Sequence, residues 1–67
     1  MRTFFLNGQE YWSEDTFTLL DLLKYFDYET DIFILEHNKQ IRKKQKWYQL
    51  EIENQDTIEL VTIVGGG

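Results

Sequence analysis

Cysteine, proline and alanine are absent from these 67 residues. Without cysteine the chain has no disulfide staple and no thiolate metal site, and His37, the only imidazole, has no second ligand at metal-binding spacing. Ser13 is the only serine, and nothing in the spacing brings His37 to it, so an internal catalytic triad is excluded in practice. No apolar run exceeds four residues, far short of the ~20 that cross a bilayer. Met1–Leu6 is too short for a signal peptide, so the expectation is a soluble, intracellular protein. Basic charge is scarce as well: seven Lys and Arg against twelve Asp and Glu leave a net charge of −5. That balance argues against a general nucleic-acid or anionic-membrane binder and points to a partner with a basic surface. Glycine is confined to Gly8 and the run Gly65, Gly66, Gly67.

What remains must fold by packing alone. A chain this short makes one domain with one small core, and eleven aromatic residues supply large apolar area for it. Arg2 to Leu6 is a strand candidate, and Asn7-Gly8 after it is the dipeptide most favoured in a two-residue hairpin, because both residues tolerate positive φ. Gln9 to Trp12 is the return strand. Thr18 with Asp21 three residues on forms a capping pair, and Leu19, Leu22, Leu23 and Phe26 then recur at helical spacing, predicting a helix from about Leu19 to Phe26. Asp31 to Glu36 reads as a short buried strand, His37 to Gln40 as a turn, and Lys43 to Leu50 has no clear period. Asn54-Gln55-Asp56 is a second turn signal before a last strand, Thr57 to Val64. No repeat or internal linker supports a second domain.

The last strand runs straight into the three glycines. A backbone without Cβ atoms passes through a channel too narrow for other residues and carries its terminal carboxylate away from the folded body. The Asn7-Gly8 hairpin, the Leu22-Leu23 helix, the turn at Asn38, Trp47 and above all Asp56-Thr-Ile-Glu-Leu-Val-Thr-Ile-Val-Gly-Gly-Gly67 resemble the ThiS family, the sulfur-carrier proteins of thiamine biosynthesis. Many members end on two glycines; Gly66-Gly67 matches that pair and Gly65 extends the neck. The resemblance implies an α+β, ubiquitin-like β-grasp fold, a mixed sheet packed on one main helix, with residues 1–64 as the domain and 65–67 as an extended, flexible tail. It also implies a protein that is a substrate of enzymes and not itself an enzyme. An E1-like adenylating enzyme of the ThiF class would activate the Gly67 carboxylate with ATP and Mg²⁺. A persulfide-bearing protein would supply sulfur, and a thiazole synthase of the ThiG class would consume the resulting thiocarboxylate. No catalytic group, metal or bound cofactor is expected in the carrier.

Strand alternation suggests where partners dock. If Ile58 and Leu60 face the core, Glu59, Val61 and Ile63 share the outward face. By the same parity Phe4 and Leu6 point in and Phe5 points out, extending an apolar docking patch. Five of the seven basic residues, Lys39, Arg42, Lys43, Lys44 and Lys46, precede Trp47-Tyr48. In an otherwise acidic chain this reads as a solvated loop in preference to a phosphate-binding surface. Asp27, Glu29 and Asp31 lack the glycine and terminal glutamate of a calcium loop. The alternatives to the thiazole-branch carrier are the molybdopterin synthase small subunit, a ubiquitin-like modifier, and a β-grasp interaction module with a passive tail. The composition hints at an AT-rich genome, leaving a bacterial cytoplasm or a plastid stroma.

Overall fold

The computed structural model describes residues 1–63. Five strands, β1 (Arg2–Leu6), β2 (Gln9–Ser13), β3 (Phe33–His37), β4 (Gln40–Arg42) and β5 (Thr57–Thr62), form one sheet in the order β2-β1-β5-β3-β4. One helix, α1 (Leu19–Tyr25), packs on it. The two central strands, β1 and β5, run parallel with Phe5 beside Thr57 and Leu6 beside Ile58, and every other pairing is antiparallel. The mixed sheet on one main helix is the expected class.

Local chemistry explains the elements. Asn7 and Gly8 have φ of 51° and 81°, the double positive φ of a hairpin turn whose twist matches the strands. Asn38 and Lys39, at 53° and 67°, repeat the device between β3 and β4. The helix opens on a complete capping box: the Thr18 hydroxyl accepts the Asp21 N–H at 3.1 Å, and the Asp21 carboxylate accepts the Thr18 N–H at 3.0 Å. Asp therefore performs at this position as Glu usually does. Leu19, Leu22 and Leu23 are fully buried, with Phe4, Leu6, Leu35, Trp47, Ile52 and Ile58 completing the core. Each such side chain stabilises the fold by about 1.5–3 kcal/mol. Phe26 sits half-buried at the helix end, edge-on to Tyr11 at a centroid distance of 5.2 Å.

Three expectations needed correction. The apolar run at residues 32–35 is not a strand buried on both faces: Ile32 closes a 3-10 turn (Thr30–Ile32), and within β3 Leu35 points into the core while Ile34 points out. The sheet is covered by the helix on one face only, so alternation resumes. His37 and Gln40 belong to strands, leaving only Asn38-Lys39 in the turn. The basic segment contains a short edge strand, β4, and a 3-10 turn (Lys44–Lys46), which three residues of mixed polarity could not signal. Its side chains are otherwise largely exposed, Lys44 pairing with Asp31. Trp47 then turns inward and donates its indole N–H to the Arg42 carbonyl at 2.8 Å. From Trp47 to Ile52 the chain is stitched to the start of the helix: Leu19 N–H donates to Leu50 O, and Ile52 N–H to Phe17 O, each at 2.9 Å. β2 includes Ser13, α1 ends one residue early at Tyr25, and β5 stops at Thr62.

Candidate functional site

The strand that leads to the glycines is central, and both its flanks are tied at one end. On one side Asn7 spends its side chain on β5, its Oδ1 accepting the Leu60 N–H at 2.8 Å where β1 has already turned away. On the other side Asn38 exchanges two bonds with Thr57, its own N–H donating to the Thr57 carbonyl at 2.8 Å and its Oδ1 accepting the Thr57 N–H at 2.9 Å. Asparagine suits both turns because it tolerates positive φ and carries an acceptor.

Just before β5, Asp56 collects three donors. Asn38 Nδ2 lies 2.9 Å from its Oδ1, and the Glu53 N–H and His37 Nε2 lie 2.8 and 2.7 Å from its Oδ2. Burial alone would push the Asp56 carboxyl up, but the hydrogen bonds from Asn38, Glu53 and His37, with the charge of His37, outweigh it and hold the group below its ordinary value. An ionised Asp56 accepts, so Nε2 is the donating nitrogen of the ring. His37 is thus a structural histidine at the pinned end of β5, its Nε2 held by Asp56 and its buried Nδ1 without a hydrogen-bond partner among the described residues.

At the other end the strand pairs on one flank only, with β3. Ile63 donates its N–H to the Ile32 carbonyl at 2.7 Å, holding the chain to the β3 side. Ile58 is buried and Leu60 half-buried against the core, so Glu59, Val61 and Ile63 face outward, with Val61 and Ile63 each 51% exposed. Phe4 and Leu6 are buried and Phe5 is half-buried on the outer side, separated from Glu59 by a shallow hollow lined also by Gly8, Lys39 and Thr57. The four sequence-predicted face residues therefore share one surface. Gly65, Gly66 and Gly67 lie, with Val64, outside the described residues.

Sequence reasoning missed three residues of this face. Ile34 is the direct cross-strand partner of Val61, Glu36 of Glu59, and Ile41 of Glu36. Ile34 and Ile41 are 40% and 68% exposed, and strict alternation from Leu35 would have found Ile34 and Glu36. Among the described residues no helix is long and apolar enough to cross a membrane, and no group of His, Cys, Asp and Glu is arranged to hold a metal ion.

A mixed sheet with a parallel central pair, gripping one helix and ending on its middle strand, defines a β-grasp protein. The ThiS family model matches residues 3–67, glycines included. The sulfur carrier protein ThiS of Bacillus subtilis (strain 168) is 43% identical over 63 residues, covering 92% of this chain and 96% of its own. A ycf40 protein of Trieres chinensis is 52% identical over 66 residues, covering 98% of this chain and 90% of its own. The crystal structure of the thiamine biosynthesis protein ThiS from Geobacter metallireducens superposes with a TM-score of 0.84 over 97% of this chain and 99% of its own, at 16% identity, a likeness of fold. The chain belongs to the ThiS family.

Proposed function

We propose that this chain is a sulfur carrier for assembly of the thiazole ring in thiamine biosynthesis. The observation that carries the reading is the family match running through Gly67 on a β-grasp body whose central strand leads to the glycines. The name of the Bacillus subtilis relative supports the thiazole branch over molybdopterin synthesis. A free carboxylate is a poor acyl donor. An E1-like enzyme of the ThiF class, using ATP and Mg²⁺, joins the Gly67 carboxylate to AMP and releases pyrophosphate. The terminal sulfur of a protein persulfide attacks the carbonyl carbon and displaces AMP. Cleavage of the resulting S–S bond by a thiol leaves the thiocarboxylate that a thiazole synthase of the ThiG class consumes. The carrier contributes an acyl group and its delivery, while the reacting partners contribute the catalysis. Phe5, Glu59, Val61 and Ile63 form the docking face beside the tail, and the ycf40 relatives favour a plastid stroma over a bacterial cytoplasm.

Length and width of the tail test this. Deleting Gly67 shortens an extended tail by ~3.3–3.6 Å, and reacting atoms must come within about 3–3.5 Å. Gly66→Val keeps the length and adds a branched side chain. Both variants are expected to melt like the parent and to gain no AMP or sulfur by mass spectrometry after incubation with activating enzyme, ATP and a persulfide donor. Sulfur transfer at the parental rate in either variant overturns the requirement for the tail's length and width, and a parent that itself gains neither AMP nor sulfur overturns the carrier reading in favour of a module with a passive tail.

A further inference from the structure

The outward face of the sheet carries charge of one sign. Strand positions pointing away from α1 include Glu10 on β2, Glu36 on β3 and Glu59 on β5, and none of them is Lys or Arg. Glu36 and Glu59 stand directly opposite one another, an arrangement that brings side chains to about 4.5–5.5 Å at Cβ and destabilises a sheet when the charges are alike. Among the described residues neither carboxylate is paired with a cation of this chain; Lys39 borders the same hollow as Glu59 without forming an ion pair.

Solubility does not explain that placement. Exposed carboxylates keep a face wet wherever they stand, and separating them would avoid the repulsion. Here they meet on two neighbouring inner strands, and apolar side chains flank them: Ile41 beside Glu36 and the Ile34–Val61 pair one step along the strands, while Thr57, Gly8 and Lys39 separate Glu59 from Phe5. Two adjacent carboxylates flanked by exposed aliphatic groups have the composition of an interface centre that lacks its counter-ion.

We infer that Glu36 and Glu59 together receive an arginine side chain of the ATP-dependent activating enzyme, the flanking Ile34, Ile41 and Val61 excluding water beside it. Arginine suits the site better than lysine because its planar fork carries five N–H donors and can bond two carboxylates at once, where an ammonium is a point charge. The assignment rests on the carrier reading above. It adds that recognition is read from a charge pair on β3 and β5, upstream of the tail, and it assigns Glu36 a role as a specificity determinant that positions the carrier without touching the reacting carbonyl.

The test measures initial rates of pyrophosphate release by a ThiF-class activating enzyme against carrier concentration, at low and high KCl, together with thermal melts of the free carriers. Glu36→Lys is expected to raise KM by roughly tenfold or more with kcat nearly unchanged. The same variant should melt at the parental temperature or above, since an opposite-charge pair then replaces a like-charge one. A Glu36→Gln, Glu59→Gln double variant should show a similar rise in KM and a flatter salt dependence than the parent. An unchanged KM in both variants, with the parent activated normally, overturns the arginine site and leaves the carrier reading standing. A lowered melt for Glu36→Lys overturns it too, by showing that the pair serves the fold. A parent that releases no pyrophosphate overturns the carrier reading, and the arginine site with it.

Discussion

Replacing Asp56 by Asn probes the joint that holds β5 in place. The carboxylate accepts from Asn38 Nδ2, the Glu53 N–H and His37 Nε2, all within 2.9 Å, and the residue is 8% exposed. An amide of the same shape keeps one acceptor oxygen but turns an NH₂ group toward a donor, so at least one buried donor loses its partner. A hydrogen bond to a charged group contributes about 1.5–3 kcal/mol, and stranding a buried donor costs about 1–3 kcal/mol. The three bonds share one group and do not add independently, so a loss of about 3 kcal/mol is expected. Against the ~3–10 kcal/mol total stability of a domain this size, that is a large fraction. Urea unfolding followed by tryptophan fluorescence at pH 7 measures it. The pH dependence supplies the sign: the folded carboxyl titrates below the ordinary aspartate value of about 3.9, so its stabilisation is present above that value and is lost as pH falls through the folded pKa. The gap between parent and variant should close as pH falls below about 4. A gap under ~0.5 kcal/mol at pH 7, or one that persists undiminished at the acid end, refutes the account of Asp56 as an ionised hub.

Two other substitutions follow from the packing. Leu22→Ala and Leu23→Ala, each removing a fully buried side chain from the helix face, should cost about 2–5 kcal/mol apiece; thermal melts that do not move would show that this face is not the core. Val61→Asp and Ile63→Asp, at positions half exposed already, should leave the melt near parental and weaken capture by the activating enzyme, since an unpaired charge enters an apolar interface; parental adenylation at limiting carrier concentration would remove Val61 and Ile63 from the docking face.

Much of this architecture was legible because local and global preferences agree. Asn7-Gly8 announced the first hairpin, the leucine spacing announced α1, and the alternation of residues 57–63 assigned inside and outside correctly on the strand that matters most. The failures have physical causes. In residues 32–35 every side chain is apolar, so the period of two is invisible, and only the bare outer face of the sheet turns Ile34 outward. β4 is three residues long and pairs through backbone atoms that leave no mark on the sequence. The Asp56 hub joins residues 18 and 19 positions apart, and a lone histidine among turn residues offers no local sign that it will meet a carboxylate. The Glu36–Glu59 pairing, likewise, exists only once the register of β3 on β5 is fixed.

The division of labour along β5 gives these facts a common cause. At its start the strand is held on both flanks, by the Asn7 N–H on the Ile58 carbonyl and by the two bonds between Asn38 and Thr57, and anchored from below by Asp56, and the adjoining side chains Leu6, His37 and Ile58 are all buried. Beyond Leu60 β1 has already turned away, so β5 pairs with β3 alone and exposes Val61 and Ile63. Stability is therefore concentrated at the end of the strand farthest from the glycines, and exposed residues at the near end can change with little effect on folding. A carrier needs that separation. In the proposed function the terminus enters a partner while the body stays folded, and any energy the tail-proximal residues contributed to the core would be disturbed each time the partner took hold of them.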